Sequence, residues 1–507
     1  MNKLIKATSM LFLIAILSKG IGFVREAILV STYGASMVSD VYITAMKIPS
    51  TLFAIIASAL STTFIPLFCE VDKNKGKKES LKFINNMLNI VLILGIIISI
   101  TAFIFTKPLI KVFAMDFTGE KMILAIKFTK IMVFSMIFIG ISNILTCWLQ
   151  INEKYNIPSL TILPYNIILI VSILISKNTS IEILAIGTLI ATMSQILFQL
   201  PSSYKAGYRY KLYINTKDEN IKKIIYLLGP VILGVGAGEI NNIIDGSLAS
   251  TLGDGIITVL NSASKLDTLV TSLFITTIVS VMYPVLSKLS SDNKDEEFKN
   301  IIKRYINVVI IIIVPISVGA IVLSTPIVKL IFERGAFDTR ATLLTSQALK
   351  CYAIGMVGTN ITIILNKVFY SKKDTKTPMT TSIISILINI VLSLTLIKHI
   401  GHMGLALASS IASISRVIML CIKLKTKIGD YGLNTITKTL LKTTIAAIIM
   451  GIITNLSYHQ LLTILYKSTI TETTALLIAI LIGAITYTVI ILKMNIEEIK
   501  IILNIIK

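Results

Sequence analysis

Runs of about 20 apolar residues, broken by short polar stretches, fill this 507-residue chain from end to end. Each run is long enough to cross roughly 30 Å of hydrocarbon. About 14 of them can be placed by length and composition. They lie near 5–33, 37–70, 80–106, 119–151, 157–177, 181–204, 222–252, 255–288, 301–324, 340–371, 377–398, 402–424, 433–456 and 471–493. None alternates with period two, so a helical bundle is expected and a β-barrel is not. The chain is 54% hydrophobic and 15% charged, with a mean hydropathy of +0.84. A water-soluble monomer cannot present that much apolar surface. The expected fold class is therefore an all-α integral membrane protein. The opening run, 1–20, lacks a small-residue cleavage site and continues past any such point, so it reads as a retained first span.

The chain also repeats itself. One interval separates Lys47 from Lys265, Pro66 from Pro284, Pro108 from Pro326 and Lys111 from Lys329. Ser31, Thr32 and Gly34 return as Ser250, Thr251 and Gly253 with a slip of a single position, and Pro158 returns as Pro378 with a slip of two. A duplicated membrane domain is the signature of many transporters. The expected organisation is a six-helix lobe at 1–205, a linker at 206–224, a second six-helix lobe at 225–424 and two extra helices within 425–507. Halves of even span count keep one orientation, so the pseudo-two-fold axis runs along the membrane normal. Segments 107–117 and 327–337 are amphipathic and match in the repeat, which predicts a short interfacial helix in each half.

The formal net charge of +22 is not spread evenly. Basic residues gather at 73–82, 205–223, 288–304, 372–376 and 423–442, which lie in alternate loops. That pattern marks one membrane face as cytoplasmic and places both termini there. It accounts for the charge through topology and attraction to anionic lipid, without nucleic acid. The four cysteines, Cys69, Cys147, Cys351 and Cys421, are scattered with no ligand-like spacing, so neither a metal site nor a disulfide framework is indicated. No GxxxxGK[ST] motif occurs, so the chain does not itself hydrolyse ATP in that way. No hydrolase motif occurs either, and a transporter without covalent chemistry or cofactor is expected.

Charges inside the spans carry the chemistry. In the first half they are Lys19, Arg25, Glu26, Asp40 and Lys47; in the second, Glu239, Asp245, Lys265 and Asp267. An ionisable group at membrane depth costs several kcal/mol unless it faces a wet cavity or a partner. The clustering predicts a hydrated cavity between the halves. Lys19 and Glu26 are two turns apart and share a helix face. Gly20 and Gly22 are expected to break that first helix beside its cations. Arg25 can hold a phosphate through paired hydrogen bonds, with Lys19, Lys47 and Lys265 adding point charges, so these four are the candidate substrate ligands. Glu26, Asp40, Asp245 and Asp267 are the candidate gating or ion-pairing acids; Arg25 with Asp40, or Lys47 with Asp245, would pair inside the bundle, the second of these joining the halves. Trp148 and the tyrosines at span ends read as interfacial anchors.

Residues 18–40, Ser-Lys-Gly-Ile-Gly-Phe-Val-Arg-Glu-Ala-Ile-Leu-Val-Ser-Thr-Tyr-Gly-Ala-Ser-Met-Val-Ser-Asp, resemble the opening of the MurJ/MviN family of lipid II flippases. So do Lys47-Ile-Pro49, Phe64-Ile-Pro66, the block Leu330-Ile-Phe-Glu-Arg-Gly-Ala-Phe-Asp338, and Phe369-Tyr-Ser-Lys-Lys-Asp-Thr-Lys-Thr-Pro378. The resemblance implies the two-lobed fold of the multidrug/oligosaccharidyl-lipid/polysaccharide exporter superfamily. It implies movement of an undecaprenyl-diphosphate-linked peptidoglycan precursor, lipid II, from the inner to the outer leaflet of a bacterial cytoplasmic membrane. The family's cavity cations fall on Lys19, Arg25, Lys47 and Lys265, its acids on Glu26 and Asp40, and its lipid-tail groove on 433–493. The family usually carries arginine at the positions of Lys19 and Lys265, and an acid where Ser264 stands.

The mechanism expected is alternating access, driven by membrane potential or by a sodium or proton site among Glu239, Asp245 and Asn389. The implied partners are the lipid-linked substrate, membrane lipids and the cell-wall synthesis machinery, with the chain acting as a monomer. Two other transport readings share the layout: a flippase for another polyprenyl-diphosphate glycan of the O-antigen or capsule type, and a cation-coupled multidrug exporter. The cavity bases speak against the latter. A non-transporting scaffold would gain nothing from charges at membrane depth.

Overall fold

Where no water can satisfy backbone N–H and C=O groups, a spanning chain must bond to itself. Helices accordingly make up nearly all the described residues, with no strand among them. The structure is a computed structural model that describes residues 2–464 and 468–494; at 2–13, 15–16, 54–62, 225–235, 237 and 469 only the backbone path is described. The C-terminal segment 495–507, expected on the cytoplasmic side, lies outside the described residues. In chain order the helices are α1 (Asn2–Tyr33), α2 (Met37–Lys75), α3 (Lys77–Ile104), α4 (Thr106–Phe113), α5 (Gly119–Met132), α6 (Ser135–Ile151), α7 (Asn156–Leu160), α8 (Ile162–Ser176), α9 (Ile183–Lys205), α10 (Glu219–Ala249), α11 (Ile256–Ser291), α12 (Asp295–Val322), α13 (Ser324–Phe332), α14 (Thr339–Ser371), α15 (Lys376–Ile400), α16 (His402–Ile428), α17 (Leu433–Ile464) and α18 (Thr469–Lys493).

Among the described residues 11 helical segments are long and apolar enough to span a membrane, with α5–α6 and α7–α8 each counting as one. The remaining long helices, α1, α2 and α10, have 32, 39 and 31 residues. The repeat is visible in the helix starts. The pairs α2 and α11, α3 and α12, α4 and α13, and α9 and α16 each begin at the sequence interval of the repeat, to within a single position. Pro66 and Pro284 both sit inside the long second helix of their half. The short helices α4 and α13 fall where the amphipathic segments were read.

Contacts divide the chain into two compact units. Unit 1 is Met1–Thr258 with Gly335–Phe337; unit 2 is Val259–Arg334 with Asp338–Lys507. The division by sequence repeat, at 206–224, and the division by packing therefore fall at different places. The first helix of the second repeat, α10, packs in unit 1 against α2 and α4. A hydrogen bond from Thr51 Oγ1 to Glu239 Oε2 (3.2 Å) ties α2 to α10.

In unit 1 an aromatic core joins α2, α3, α6 and the segment after α9. Phe64 stacks on Phe83 at 5.4 Å, Phe68 meets Trp148 edge-on at 5.8 Å, and Trp148 lies 6.0 Å from Tyr208. Trp148, expected as an interfacial anchor, is instead 2% exposed, with Nε1 donating to the Ser203 carbonyl. Its large apolar surface is removed from lipid and water alike, and the indole N–H still finds an acceptor.

In unit 2, α12 packs against α17 and α14 against α16. Gly355 lets α14 and α16 approach closely. Ser410 Oγ accepts from the Gly355 N–H (3.1 Å) and donates to the Cys351 carbonyl (2.6 Å). A Cβ on Gly355 would stand 2.6 Å from Ser410 Cα, so backbone would have to move. Small residues serve this purpose at membrane helix crossings. Gly355→Ala should destabilise the solubilised protein by about 1–3 kcal/mol, seen as a lower thermal midpoint in detergent. An unchanged midpoint would contradict the crossing geometry.

The loop between α14 and α15 shows why the block ending at Pro378 reads as it does. Asp374 accepts from the Thr377 N–H (2.9 Å), the Thr377 hydroxyl (2.8 Å) and Lys427 Nζ (2.6 Å). Partial burial opposes ionisation there, but Lys427 and Thr377 outweigh it and hold the carboxyl at about 2. The carboxylate thus caps α15 and pins it to the end of α16.

Candidate functional site

Arg25 lies on α1, well past the middle of an unbroken helix. The break expected at Gly20 and Gly22 is absent, since the helix runs continuously from Asn2 to Tyr33. Arg25 is instead positioned by its neighbours. Its side chain is 14% exposed, with Nη2 at 3.5 Å from Glu26 Oε2. Nη1 donates to Asn166 Oδ1 on α8 at 3.2 Å. The Asn166 amide donates to the Ile162 carbonyl (2.8 Å), which fixes the amide so that its oxygen faces the guanidinium. Glu26 and Asn166 are 2% and 1% exposed. Two of the five guanidinium donors are committed in this way, and the planar fork keeps further donors for a ligand. Lys19, nearly two turns earlier on α1, is half-buried, and so is Lys47 on α2.

Asp40 anchors a second cluster, at the start of α2. The carboxylate is fully buried. It accepts from the Gly255 N–H (2.7 Å), the Thr258 N–H (2.9 Å) and the Thr258 hydroxyl (2.8 Å). Lys121 Nζ on α5 donates to it at 3.2 Å and to Asp254 at 2.7 Å, while lying over the Phe117 ring. The pairing of Arg25 with Asp40 weighed from the sequence does not occur: Arg25 turns to Glu26 and Asn166, and Asp40 turns to Lys121. Asp40 caps the N-terminus of α11 from another helix, supplying acceptors to N–H groups that the helix leaves unbonded. Asp40 and Thr258 stand apart by the interval of the repeat, so each is the other's counterpart.

Three tight turns meet beside Asp40. Gly255, at φ +86°, presses against the Ala35 carbonyl, and Gly335, at φ +61°, against the Ser31 carbonyl; a Cβ on either would clash with that backbone. The Ala336 N–H donates to Ser31 O at 2.8 Å. The block around Glu333-Arg-Gly-Ala-Phe337 thus has a place: its turn docks on the α1–α2 turn. The adjoining polar cavity of about 290 Å³ is lined by Asp116, Glu120, Lys121, Ser250 and Asp254 among others.

Unit 2 holds a different kind of space. A cavity of about 470 Å³ is lined almost wholly by apolar side chains. Leu266 and Val270 of α11, Ile316 and Gly319 of α12, Ile327 of α13, Met450 of α17 and Ile480 and Tyr487 of α18 line its walls. The two helices beyond the repeat therefore help enclose it. Lys265, immediately before a wall residue, is exposed within unit 2.

A family model described as "Lipid II flippase MurJ" matches residues 29–470. The chain belongs to the MurJ family of lipid II flippases. A relative from Buchnera aphidicola subsp. Acyrthosiphon pisum, named "Probable lipid II flippase MurJ", is 28% identical over 427 residues, 83% of this chain and 84% of the relative. A solved structure described as lipid II flippase MurJ in an inward closed conformation superposes with a TM-score of 0.81 at 28% identity, covering 95% of this chain and 97% of the other. An inward-facing multidrug transporter of the MATE family shares the fold at a TM-score of 0.69 and 16% identity, covering 84% of this chain and 96% of the other. Membership in the MurJ family also establishes a multi-pass membrane protein.

The other residues singled out in the sequence are placed as follows. Asp245 accepts from Asn241 Nδ2 at 3.1 Å on α10. Asn389 on α15 is 2% exposed and accepts from the Ser393 hydroxyl at 3.0 Å. Asp267 on α11 is half-buried, and among the described residues its Oδ1 has no hydrogen-bond partner. Among the described residues no group of three His, Cys, Asp or Glu side chains is placed to hold a metal ion. Lys121, Asn166 and Thr258 were missed. Thr258 was within reach, because the repeat offset maps it onto Asp40. Lys121 and Asn166 carry no such mark; only tertiary packing brings them to their acids and bases.

Proposed function

We propose that this chain flips lipid II from the inner to the outer leaflet of the bacterial cytoplasmic membrane by alternating access. Arg25, Lys19, Lys47 and Lys265 bind the substrate's pyrophosphate. The observation that carries the reading is Arg25, a largely buried guanidinium held by a buried carboxylate and an oriented amide, with donors left for an anion. A diphosphate leaving water loses strong hydration, and charge-assisted hydrogen bonds replace part of it. The apolar cavity of unit 2 suits the first isoprene units of the polyprenyl tail, which keeps the greasy end out of water while the head group crosses.

In this reading Asp40 and its partners form a latch on the outer face, and Glu26, Asp245 and Asp267 tune the charge of the path. Membrane potential supplies about 2.3 kcal/mol per charge per 100 mV. Glu239, Asp245 and Asn389 are the proposed ligands of a coupling sodium ion or proton. The positive-inside pattern places the basic loops and both termini in the cytoplasm. The chain acts as a monomer that hands its cargo to the wall-building machinery outside.

The tail assignment has its own test. Gly319 lines the unit 2 cavity, and among the described residues a Cβ there would meet nothing within 4 Å beyond its own turn of helix. Gly319→Leu fills that space without breaking α12, since leucine is the better helix former. Growth of a flippase-depleted strain rescued by this variant should fall at least 10-fold at unchanged membrane abundance. Full rescue would remove the cavity from the tail's route.

A further inference from the structure

Three asparagines on one face of α3 hold the segment between α9 and α10 by its backbone. Asn85, Asn86 and Asn89 are 2%, 0% and 1% exposed. Asn85 Nδ2 donates to the Arg209 carbonyl (3.0 Å), while its Oδ1 accepts from the Lys211 N–H and the Tyr208 hydroxyl (3.1 Å each). Asn86 exchanges both bonds with Asn215, N–H to Oδ1 at 2.7 Å and Nδ2 to carbonyl at 2.9 Å. Asn89 Nδ2 donates to the carbonyls of Lys211 (3.3 Å) and Tyr213 (3.1 Å), and its Oδ1 accepts from the Tyr210 hydroxyl (2.9 Å). Buried amides give this non-helical stretch the partners that a strand neighbour would otherwise supply.

With its backbone fastened inward and Tyr208 buried against Trp148, the strap leaves its other large side chains at the surface. Tyr210, Leu212, Tyr213 and Ile214 are 47%, 76%, 37% and 48% exposed. Lys205, Arg209, Lys211 and Lys217 alternate with them and are exposed. Among the described residues none of these four makes an ion pair within 4 Å. Two nearby cations do pair, Lys82 with Glu79 and Lys223 with Glu70. Arg209 donates to the carbonyls of Tyr204 and Tyr208 and lies over the Tyr204 ring, which steadies the start of the strap.

The level of the strap on α3 decides what it meets. The last charged side chain of α3 is Lys82, and its exposed apolar band begins at Ile93 and runs through Leu94, Ile97 and Ile104. The asparagines lie between these marks, so the strap crosses α3 about 10 Å from the start of the apolar band. That is the depth of lipid head groups, where aromatic rings and lysines collect.

We propose that the 207–215 strap is a binding edge for anionic phospholipid in the basic-side leaflet. Leu212, Tyr213 and Ile214 enter the acyl boundary, and Arg209 and Lys211, with Lys217 just beyond the strap, take the head-group phosphates. Apolar burial and attraction to negative lipid act together at such sites.

The test uses the full-length purified protein in nanodiscs and detergent. Retention of phosphatidylglycerol against phosphatidylcholine is read by native mass spectrometry and by titration with short-chain phosphatidylglycerol. An R209Q/K211Q/K217Q variant should bind phosphatidylglycerol roughly 100-fold more weakly, at about tenfold per 1.4 kcal/mol and 1 kcal/mol per charge. A K211Q/K217Q variant, which touches none of the side-chain hydrogen bonds above, should lose roughly 30-fold. K294Q/K299Q, in another basic cluster at the start of α12, should behave as wild type. In parallel, the fluorescence of a Leu212→Trp variant in nanodiscs of brominated lipid should be quenched, over the buried Trp148 background. Equal phosphatidylglycerol binding by wild type and K211Q/K217Q, or no quenching of the introduced indole, would overturn the proposal.

Discussion

An Arg25→Ala variant should reach the membrane in normal amount and fail to sustain growth of a flippase-depleted strain. Hydrogen bonds to charged groups contribute about 1.5–3 kcal/mol each, so losing a paired contact to phosphate predicts at least a 100-fold fall in transport rate. The same substitution withdraws a cation from buried Glu26. Breaking a buried pair costs about 3–5 kcal/mol, an effect on stability that is separate from transport. Arg25→Ala with Glu26→Gln tells the two apart. It should recover thermal stability in detergent and still fail to support growth. Growth restored along with stability would show that Arg25 serves only to neutralise Glu26.

Asp40→Asn should be the second severe change, and here stability and transport should fall together. The substitution keeps the shape of the side chain but turns one oxygen into a donor. That donor would face the N–H of Gly255 or Thr258, both within 2.9 Å of the carboxylate now. Each unmet buried group costs about 1–3 kcal/mol, and Lys121 also loses one of its two carboxylates. A total near 3–5 kcal/mol is expected. It should appear as a drop of several degrees in the thermal midpoint and as loss of rescue. Asp254→Asn is the comparison, because that side chain is 61% exposed; it should cost no more than about 1 kcal/mol. Equal effects of the two variants would refute the special role given to the buried carboxylate.

How much of this was legible in the sequence differs by element. Helix positions were, because twenty-residue apolar runs leave a membrane protein few other options. The duplication was legible too, and the helix starts recur at the same interval as the marker residues such as Lys47 and Lys265. The grouping of α10 with unit 1 was not, since packing partners are chosen by shape and by bonds such as Thr51 to Glu239, which leave no periodic trace. Arg25 and Asp40 stood out in the sequence by the cost of charge at depth, but the partners they take, Glu26 and Asn166 for one and Lys121 for the other, differ from the pairing weighed there. Lys121 reads as an ordinary residue in the first turn of α5, and only the fold brings it to Asp40. The break expected at Gly20 and Gly22 shows the limit of composition: glycine permits a bend but does not impose one, and α1 runs unbroken through both positions.

The most direct measurement is outer-leaflet lipid II in flippase-depleted cells expressing this chain, read by an externally added enzyme that cleaves the exposed pyrophosphate linkage. The account predicts cleavage with the wild-type chain and none with Arg25→Ala at equal membrane abundance. Lipid II that stays protected in cells carrying the wild-type chain would contradict it, as would cleavage that Arg25→Ala leaves unchanged.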